Sequence, residues 1–243
     1  MQTVRVGFVG GGEHARMSLL PSLRHAFGGA PTGLPSLVSS HVGASLPPLQ
    51  GRLVALAEHK RDHAERIAAF HGIEEIYTNH REMLENAELD CAIVCLHPRL
   101  QVDAAIDCLD AGLHVFVEKP LCLFEEELND IVIQLRRLPN LRLSSNLILR
   151  KTPRFIELRE RLQNEAMGVP YYWEGDYDYG RLHKITEGWR GQIPYYSVVH
   201  GGAVHLLDLI WWLSGKQVSS LSAFGNRITT KKSEFKTVVK NLL

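Results

Sequence analysis

The sequence predicts an α/β fold: a parallel sheet built from βαβ units over residues 1–145, followed by a smaller second region, 146–243. Three observations carry this expectation. Short β-branched runs alternate with helix-patterned segments from residue 3 to about 145, the signature of parallel strands joined by crossover helices. A glycine triplet, Gly10-Gly11-Gly12, directly follows the first strand. Past residue 145 the alternation stops and a proline-opened helix begins.

The predicted strands are Val4–Val9, Leu53–Ala57, Cys91–Leu96, His114–Val117 and Leu141–Ser144, with a short Ile76–Tyr77 segment between. Helices fill the gaps: Asp62–Phe70, a turn opened by Asn79 with Glu82 as its capping-box partner, Leu100–Ala111 closed by Gly112, and Phe124–Leu138. Residues 28–51, rich in Gly, Pro and Ser, read as a long loop inserted before the second strand. A helix-to-strand connection emerges at the edge of a parallel sheet opposite the ligand-binding one, so an oligomer contact or ornament is expected there. In the second region, Thr152-Pro153 opens a helix running to about Glu165. Strand-like Val169–Tyr179, a Gly- and aromatic-rich loop 180–202 and an apolar helix ending in Trp211-Trp212-Leu213-Ser214-Gly215 follow. Val218–Phe224 and Phe235–Leu243 look like strands, and the chain stops inside the latter, so the second domain is expected to be truncated.

Hydrophobic residues make up 45% and charged residues 22%, which suits a chain able to bury a core. Lys plus Arg (27) balances Asp plus Glu (27), so no net field favours nucleic acid or an anionic membrane, and a small-molecule partner is expected. The N-terminus lacks a basic segment followed by an apolar stretch, and no apolar run approaches the ~20 residues of a membrane span, so a cytoplasmic location is expected. Cys91, Cys95, Cys108 and Cys122 form no CxxC pair and read as buried reduced thiols. The twelve histidines are scattered and predict no metal site.

Val4 to Ala15 fits strand, G-x-G-x-x-A, then helix. Gly10 permits the tight turn, Gly12 lets backbone approach a pyrophosphate, and Ala15 allows close helix-on-strand packing; the helix opening, Glu13 and His14 included, presents N–H groups to the anion. Glu58, at the end of the second strand, is placed to bind the adenosine ribose hydroxyls. It falls later than the usual spacing because of the 28–51 insertion, and His59-Lys60-Arg61 behind it could hold a 2′-phosphate, so NAD is favoured with NADP possible. After the strand His114–Val117 comes Glu118-Lys119-Pro120, a turn in which Pro120 directs the chain and Lys119 can donate to a substrate oxygen.

Together with Asp110-Ala111-Gly112-Leu113-His114-Val115-Phe116-Val117-Glu118-Lys119-Pro120-Leu121 and the later Gly-Gly-Ala-Val-His-Leu-Leu-Asp, these motifs resemble the Gfo/Idh/MocA oxidoreductases over nearly the whole chain. The resemblance implies an N-terminal Rossmann domain with a doubly wound parallel sheet. It also implies a C-terminal α/β domain with an open, largely antiparallel sheet that often supports dimers or tetramers. Substrates in such proteins are mostly sugars, polyols and nucleotide-linked sugars, so the implied activity is NAD(P)-dependent hydride transfer at a carbinol carbon. Carried over by resemblance, Leu96-His97-Pro98 pass the cofactor, Glu118 and Lys119 stand at the nicotinamide and substrate, Asn146 and Arg150 begin the crossing, and Trp189-Arg190 border the site.

His205 matches the family's proton-transfer histidine, with Asp208 on the same helical face. The family commonly has an aspartate four residues before that histidine; Gly201 stands there, leaving Lys119 and His205 as the implied catalytic pair. Arg181, His183 and Lys184, in a polar and aromatic stretch, suit a hydroxyl-rich or phosphate-bearing substrate. Gly201 and the early end of the chain motivate an alternative, a dinucleotide-binding sensor or truncated inactive relative without catalysis.

Overall fold

A computed structural model describes residues 3–28, 49–193 and 196–225. The chain separates into two compact units, Met1–Asn146 and Leu147–Leu243.

The first unit is a six-stranded sheet. Its strands are β1 (Val4–Val9), β2 (Gly51–Ala57), β3 (Glu75–Tyr77), β4 (Cys91–Val94), β5 (His114–Val117) and β6 (Leu143–Ser145). They lie in the order β3-β2-β1-β4-β5-β6, and every neighbouring pair is parallel. After β1 the chain builds outward to β2 and β3, then returns to β4 on the other side. The topological switch point therefore falls between β1 and β4, where open α/β sheets bind ligands beyond the carboxyl ends of their strands.

A π-helical turn, Ala15–Leu19, runs into α1 (Leu20–Ala26); α2 (Arg61–His71), α3 (His80–Asn86), α4 (Pro98–Asp110) and α5 (Glu125–Arg137) make the crossovers. Strand side chains alternate between faces. Accordingly, Val6, Phe8, Leu56 and Ile93 pack with Leu20, Ala64 and Ile67 in one core cluster, while Ala55, Ala57, Val94, Val115 and Val117 pack with Ala104, Ala105, Cys108 and Leu109 in a second.

Differences from the sequence reading in this unit concern element ends. β4 stops at Val94 rather than Leu96, and α4 starts at Pro98 rather than Leu100, because His97 caps the helix, accepting the Arg99 N–H, and Pro98 takes the first helical position. Asn79 caps α3 as expected by accepting the Arg81 N–H at 2.9 Å. α2 and α4 close on left-handed or positive-φ glycines, Gly72 and Gly112. All four cysteines are free. Burial pushes the Cys95 and Cys108 thiols up to about 12, so folded protein treated with iodoacetamide at about pH 8 should leave both unlabelled until denaturant is added.

The second unit contains a 3₁₀ turn (Ile148–Lys151), α6 (Pro153–Gln163), short α7 (His183–Thr186) and α8 (Gly188–Gln192), then a π-helical turn (Val199–Ala203) leading into α9 (Val204–Ser214). Gly215 ends α9 in the left-handed conformation, φ 63°. Thr152-Pro153 does open α6. The expected antiparallel sheet is not found: among the described residues of this unit there is no strand, and 169–179 and 218–224 carry no regular secondary structure. Alternating side chains make a strand possible, but only a neighbouring strand that takes up its N–H and C=O groups makes it a sheet. The predicted strand Phe235–Leu243 and most of the 28–51 loop lie outside the described residues. Among the described residues, no helix is long and apolar enough to cross a membrane.

Candidate active site

The glycine loop leaves β1 at the sheet's carboxyl edge. Gly10 has φ +101°, and its N–H bonds Ala57 O at 2.9 Å. A Cβ on it would lie 2.2 Å from the carbonyl oxygen of Cys95, so the neighbouring β4 exit leaves room only for glycine. Gly12 is the opposite case: a Cβ there would meet nothing within 4 Å among the described residues. No side chain caps the helical segment beginning at Ala15. Open space over a helix N-terminus whose first N–H groups point outward fits a pyrophosphate.

Glu58 stands at the end of β2, 6% exposed. One carboxylate oxygen accepts the Gly11 N–H at 2.7 Å; the other accepts the Lys60 N–H at 3.2 Å and lies 2.8 Å from His59 Nδ1. This carboxylate thus braces the glycine loop.

Glu118, Lys119 and Pro120 follow β5, and the Lys119–Pro120 peptide is cis. Glu118 is buried. Its Oε2 accepts the Lys119 N–H at 2.6 Å, and its Oε1 accepts from Asn146 Nδ2 at 2.5 Å and lies 3.0 Å from His14 Nε2. Burial pushes this carboxyl up, but the hydrogen bonds from His14 and Asn146, with the charges of His14 and Lys119, outweigh it and hold the group below its ordinary value. It is an anion at neutral pH. The turn is pinned from beneath by Gln101 of α4, fully buried, whose Nε2 donates to Glu118 O at 2.6 Å and Pro120 O at 2.7 Å.

Gln101 was missed in the sequence. The signal was a lone polar residue in the buried stripe Gln101, Ala105, Cys108 of α4, a position that requires a bonding partner. Replacing Gln101 with Leu leaves two buried carbonyls without a donor. It should cost on the order of 3 kcal/mol in urea denaturation and lower turnover by loosening the Lys119 turn; an unchanged urea midpoint would show that the turn holds itself.

In the second unit, Arg150 forks onto Asp208, with Nε to Oδ2 at 2.8 Å and a second, shorter contact to Oδ1. This bond raises the Arg150 guanidinium pKa further. Both carboxylate oxygens of Asp208, a residue the sequence reading assigns to the substrate, are thus engaged by Arg150 in a bidentate pair. His205 is buried on α9, on the face it shares with Leu209 and Leu213. Trp189 meets Tyr196 edge to face at 5.4 Å, and the Arg190 guanidinium lies 4.3 Å over the Trp189 ring. Tyr196 stacks on His200, whose imidazole is held below its ordinary pKa by burial. Tyr177 and Tyr179 stack at 6.0 Å, with Arg181 over Tyr179; His183 and Lys184 lie on α7. A Cβ on Gly201 would come within 3.2 Å of the Tyr196 ring, which crowds the position where the resemblance leads one to expect aspartate.

Of the residues singled out in the sequence, the first unit gathers Gly10, Gly12, Glu13, His14, Glu58, Leu96, His97, Pro98, Glu118, Lys119 and Asn146 along the carboxyl edge of β1, β2, β4, β5 and β6. The second unit carries Trp189, Arg190, Arg181, His183, Lys184, His205 and Asp208. Among the described residues, no group of three or more His, Cys, Asp or Glu side chains could hold a metal ion.

Comparison with known proteins agrees with this architecture. Residues 4–145 match the family model described as an oxidoreductase family with an NAD-binding Rossmann fold, and residues 155–241 match the Gfo/Idh/MocA C-terminal domain. Myo-inositol 2-dehydrogenase of Thermotoga maritima is 25% identical over 180 residues, which cover 72% of this chain and 51% of that protein. Scyllo-inositol 2-dehydrogenase (NAD(+)) of Bacillus subtilis is 25% identical over 196 residues, 78% of this chain and 52% of that protein. The chain spans about half the length of the curated relatives it matches. The crystal structure of scyllo-inositol dehydrogenase from Lactobacillus casei with bound NAD(H) and scyllo-inositol has the same fold, at TM-score 0.65 and 16% identity, covering 90% of this chain and 58% of that one. With both of its regions matched by the family's two domain models, the chain belongs to the Gfo/Idh/MocA family of NAD-binding Rossmann-fold oxidoreductases.

Proposed function

We propose that this chain is the core of an NAD-dependent dehydrogenase that oxidises a secondary hydroxyl of a cyclic polyol or sugar, with NADP as a weaker cofactor. The observation that carries the reading is the Lys119 turn, held by Gln101 and Glu118 at the same sheet edge as the glycine loop. Gly10, Gly12 and the helix opening at Glu13 and His14 would cradle the pyrophosphate, Glu58 the adenosine ribose, and Leu96-His97-Pro98 the nicotinamide half. NAD, when bound, supplies the hydride acceptor. The carbinol carbon gives up its hydrogen with the bonding pair, the hydroxyl gives up its proton, and a carbonyl results. Lys119 polarises the substrate oxygen, and His205 is assigned the proton. Asn146 orients Glu118. Trp189 and Arg190 border the reacting end, and Arg181, His183 and Lys184 bind hydroxyl or anionic groups of the substrate. Residues 1–145 serve the cofactor; 146–243 serve the substrate and contacts between copies in a homodimer or homotetramer. Balanced charge supports a small-molecule partner in the cytoplasm rather than nucleic acid or membrane.

The relatives named for inositol oxidation make inositols the first substrates to test. Growth of the reduced-nicotinamide absorbance band with NAD and myo- or scyllo-inositol, or with another polyol or sugar from a panel, is the expected result. NADH binding without turnover of any member would favour the sensor reading, for which Gly201 is the specific observation.

A further inference from the structure

The opening of α9 holds a second imidazole besides His205. His200 and His205 are five residues apart, which in a straight α-helix would set their side chains roughly 140° apart. The π-helical turn Val199–Ala203 changes that: the Val204 N–H bonds Val199 O, so five residues make one turn and His200 swings toward the side of the helix that carries His205. The turn is built around rings. A Cβ on Gly201 would meet Tyr196 at 3.2 Å, and one on Gly202 would meet Tyr177 at 2.4 Å, so the glycine pair leaves room for both tyrosines. Tyr196, itself buried, stacks on His200 at 5.7 Å, and Ser197 Oγ lies 3.2 Å from His200 Nδ1 while accepting the Val199 N–H at 3.2 Å. A ring thus holds the face of the His200 imidazole and a hydroxyl holds one nitrogen. His200 is half-buried, whereas His205 is buried.

We propose that His200, brought beside His205 by the π-helical turn and held by Ser197 and Tyr196, relays the proton of the substrate hydroxyl from His205 to solvent. The inference rests on the dehydrogenase reading above. In that oxidation the hydride departs with the C–H bonding pair and the hydroxyl proton is left on His205, a buried imidazole that must pass it on before the next turnover. His200, one turn away, takes a proton on one ring nitrogen, directly or through one water, and gives another from Nδ1 to the Ser197 oxygen, whose own proton moves outward. The imidazole ends neutral in its other tautomer, and the net product is one proton in solvent. A hydroxyl suits the Nδ1 side because it accepts from one tautomer and donates to the other, where a backbone carbonyl would fix one. Burial holds the His200 imidazole below its ordinary pKa, so it rests neutral near pH 7 and can accept. His200 touches no substrate and acts through His205. Gly201 is then no lost catalytic position: its missing side chain makes room for the Tyr196 ring that holds His200.

The test is steady-state kinetics on the whole chain with a polyol or sugar that it oxidises. His200→Gln keeps a donor and an acceptor for Ser197 but carries no proton, so kcat should fall at least about tenfold while NADH affinity and the urea midpoint hold. His200→Ala should lose as much and regain rate with added imidazole, which fills the gap and relays the proton; the unaltered protein should not respond to imidazole. A His200→Gln protein at the unaltered rate would overturn the proposal, because the site would then need only a bonded side chain at this position. So would a His200→Ala protein whose lost rate imidazole does not restore. The ring gives a readout without turnover: nitrogen-15 shifts assigned to His200 by their loss in His200→Gln should report a neutral imidazole at about pH 7, and an imidazolium there would also overturn the relay. No oxidation of any polyol or sugar by the unaltered protein would instead overturn the dehydrogenase reading, and this inference with it.

Discussion

Gly10→Ala is expected to abolish dinucleotide binding and to destabilise the first unit by more than about 4 kcal/mol, an effect outside the range of ordinary substitutions. At φ +101° an L-residue is strained wherever it stands. The larger problem is contact: the new Cβ would lie 2.2 Å from Cys95 O and 3.0 Å from both Cys95 C and a Leu96 methyl. Two of these atoms are backbone, so no rotamer change relieves the clash. Either the glycine loop or the β4 exit must move, and Leu96-His97-Pro98 move with the latter. Gly12→Ala is the matching control. Its Cβ would meet nothing within 4 Å among the described residues, so urea stability should stay within about 0.5 kcal/mol. NADH affinity should nonetheless fall, because the added methyl occupies the space offered to the pyrophosphate. Fluorescence titration of both variants checks the pair. Unimpaired NADH binding by Gly12→Ala would place the pyrophosphate elsewhere.

Lys119→Ala is expected to lower kcat/KM for a polyol substrate by about 10²- to 10³-fold, the range for removal of a positioned donor at the oxygen where charge develops. Structural collapse would not explain such a loss, because the turn is held through main-chain groups: Gln101 binds the carbonyls of Glu118 and Pro120, and Glu118 binds the Lys119 N–H. Urea midpoint and NADH affinity should therefore change little. Lys119→Arg separates charge from geometry, since a guanidinium keeps the charge but presents its donors on a planar fork rather than at one point. It should restore part of KM and little of kcat. Unaltered steady-state rates in Lys119→Ala would remove this residue from the chemistry and leave His205 to be tested alone.

The order of the first five crossovers and the placement of Glu58 and Glu118-Lys119 at strand ends were legible because these features are written in local patterns. β-branched runs with a period of two, helical stripes, capping residues and glycines at sharp turns each need only a few neighbouring residues. β5, predicted as His114–Val117, is observed over those residues. The second unit was less legible for the same reason reversed. Val169–Tyr179 has strand-like alternation, yet pairing is a property of two segments, and among the described residues it has no partner.

The site divides in the same way. Sequence by itself determined which chemical groups are present and which strand end each follows: the glycine turn, the carboxylate after the second strand, and the lysine before a proline. Only the tertiary structure decided what those groups touch. It turned Glu58 toward the Gly11 N–H, used both oxygens of Asp208 for Arg150, placed Gln101 beneath the Lys119 turn, and joined His14 to Glu118 across β4. These partners lie between 17 and 104 residues apart in the chain. Local propensity carries no information at such separations. Parallel strand order brings the pairs together, and a buried polar group must then take whichever partner that order supplies.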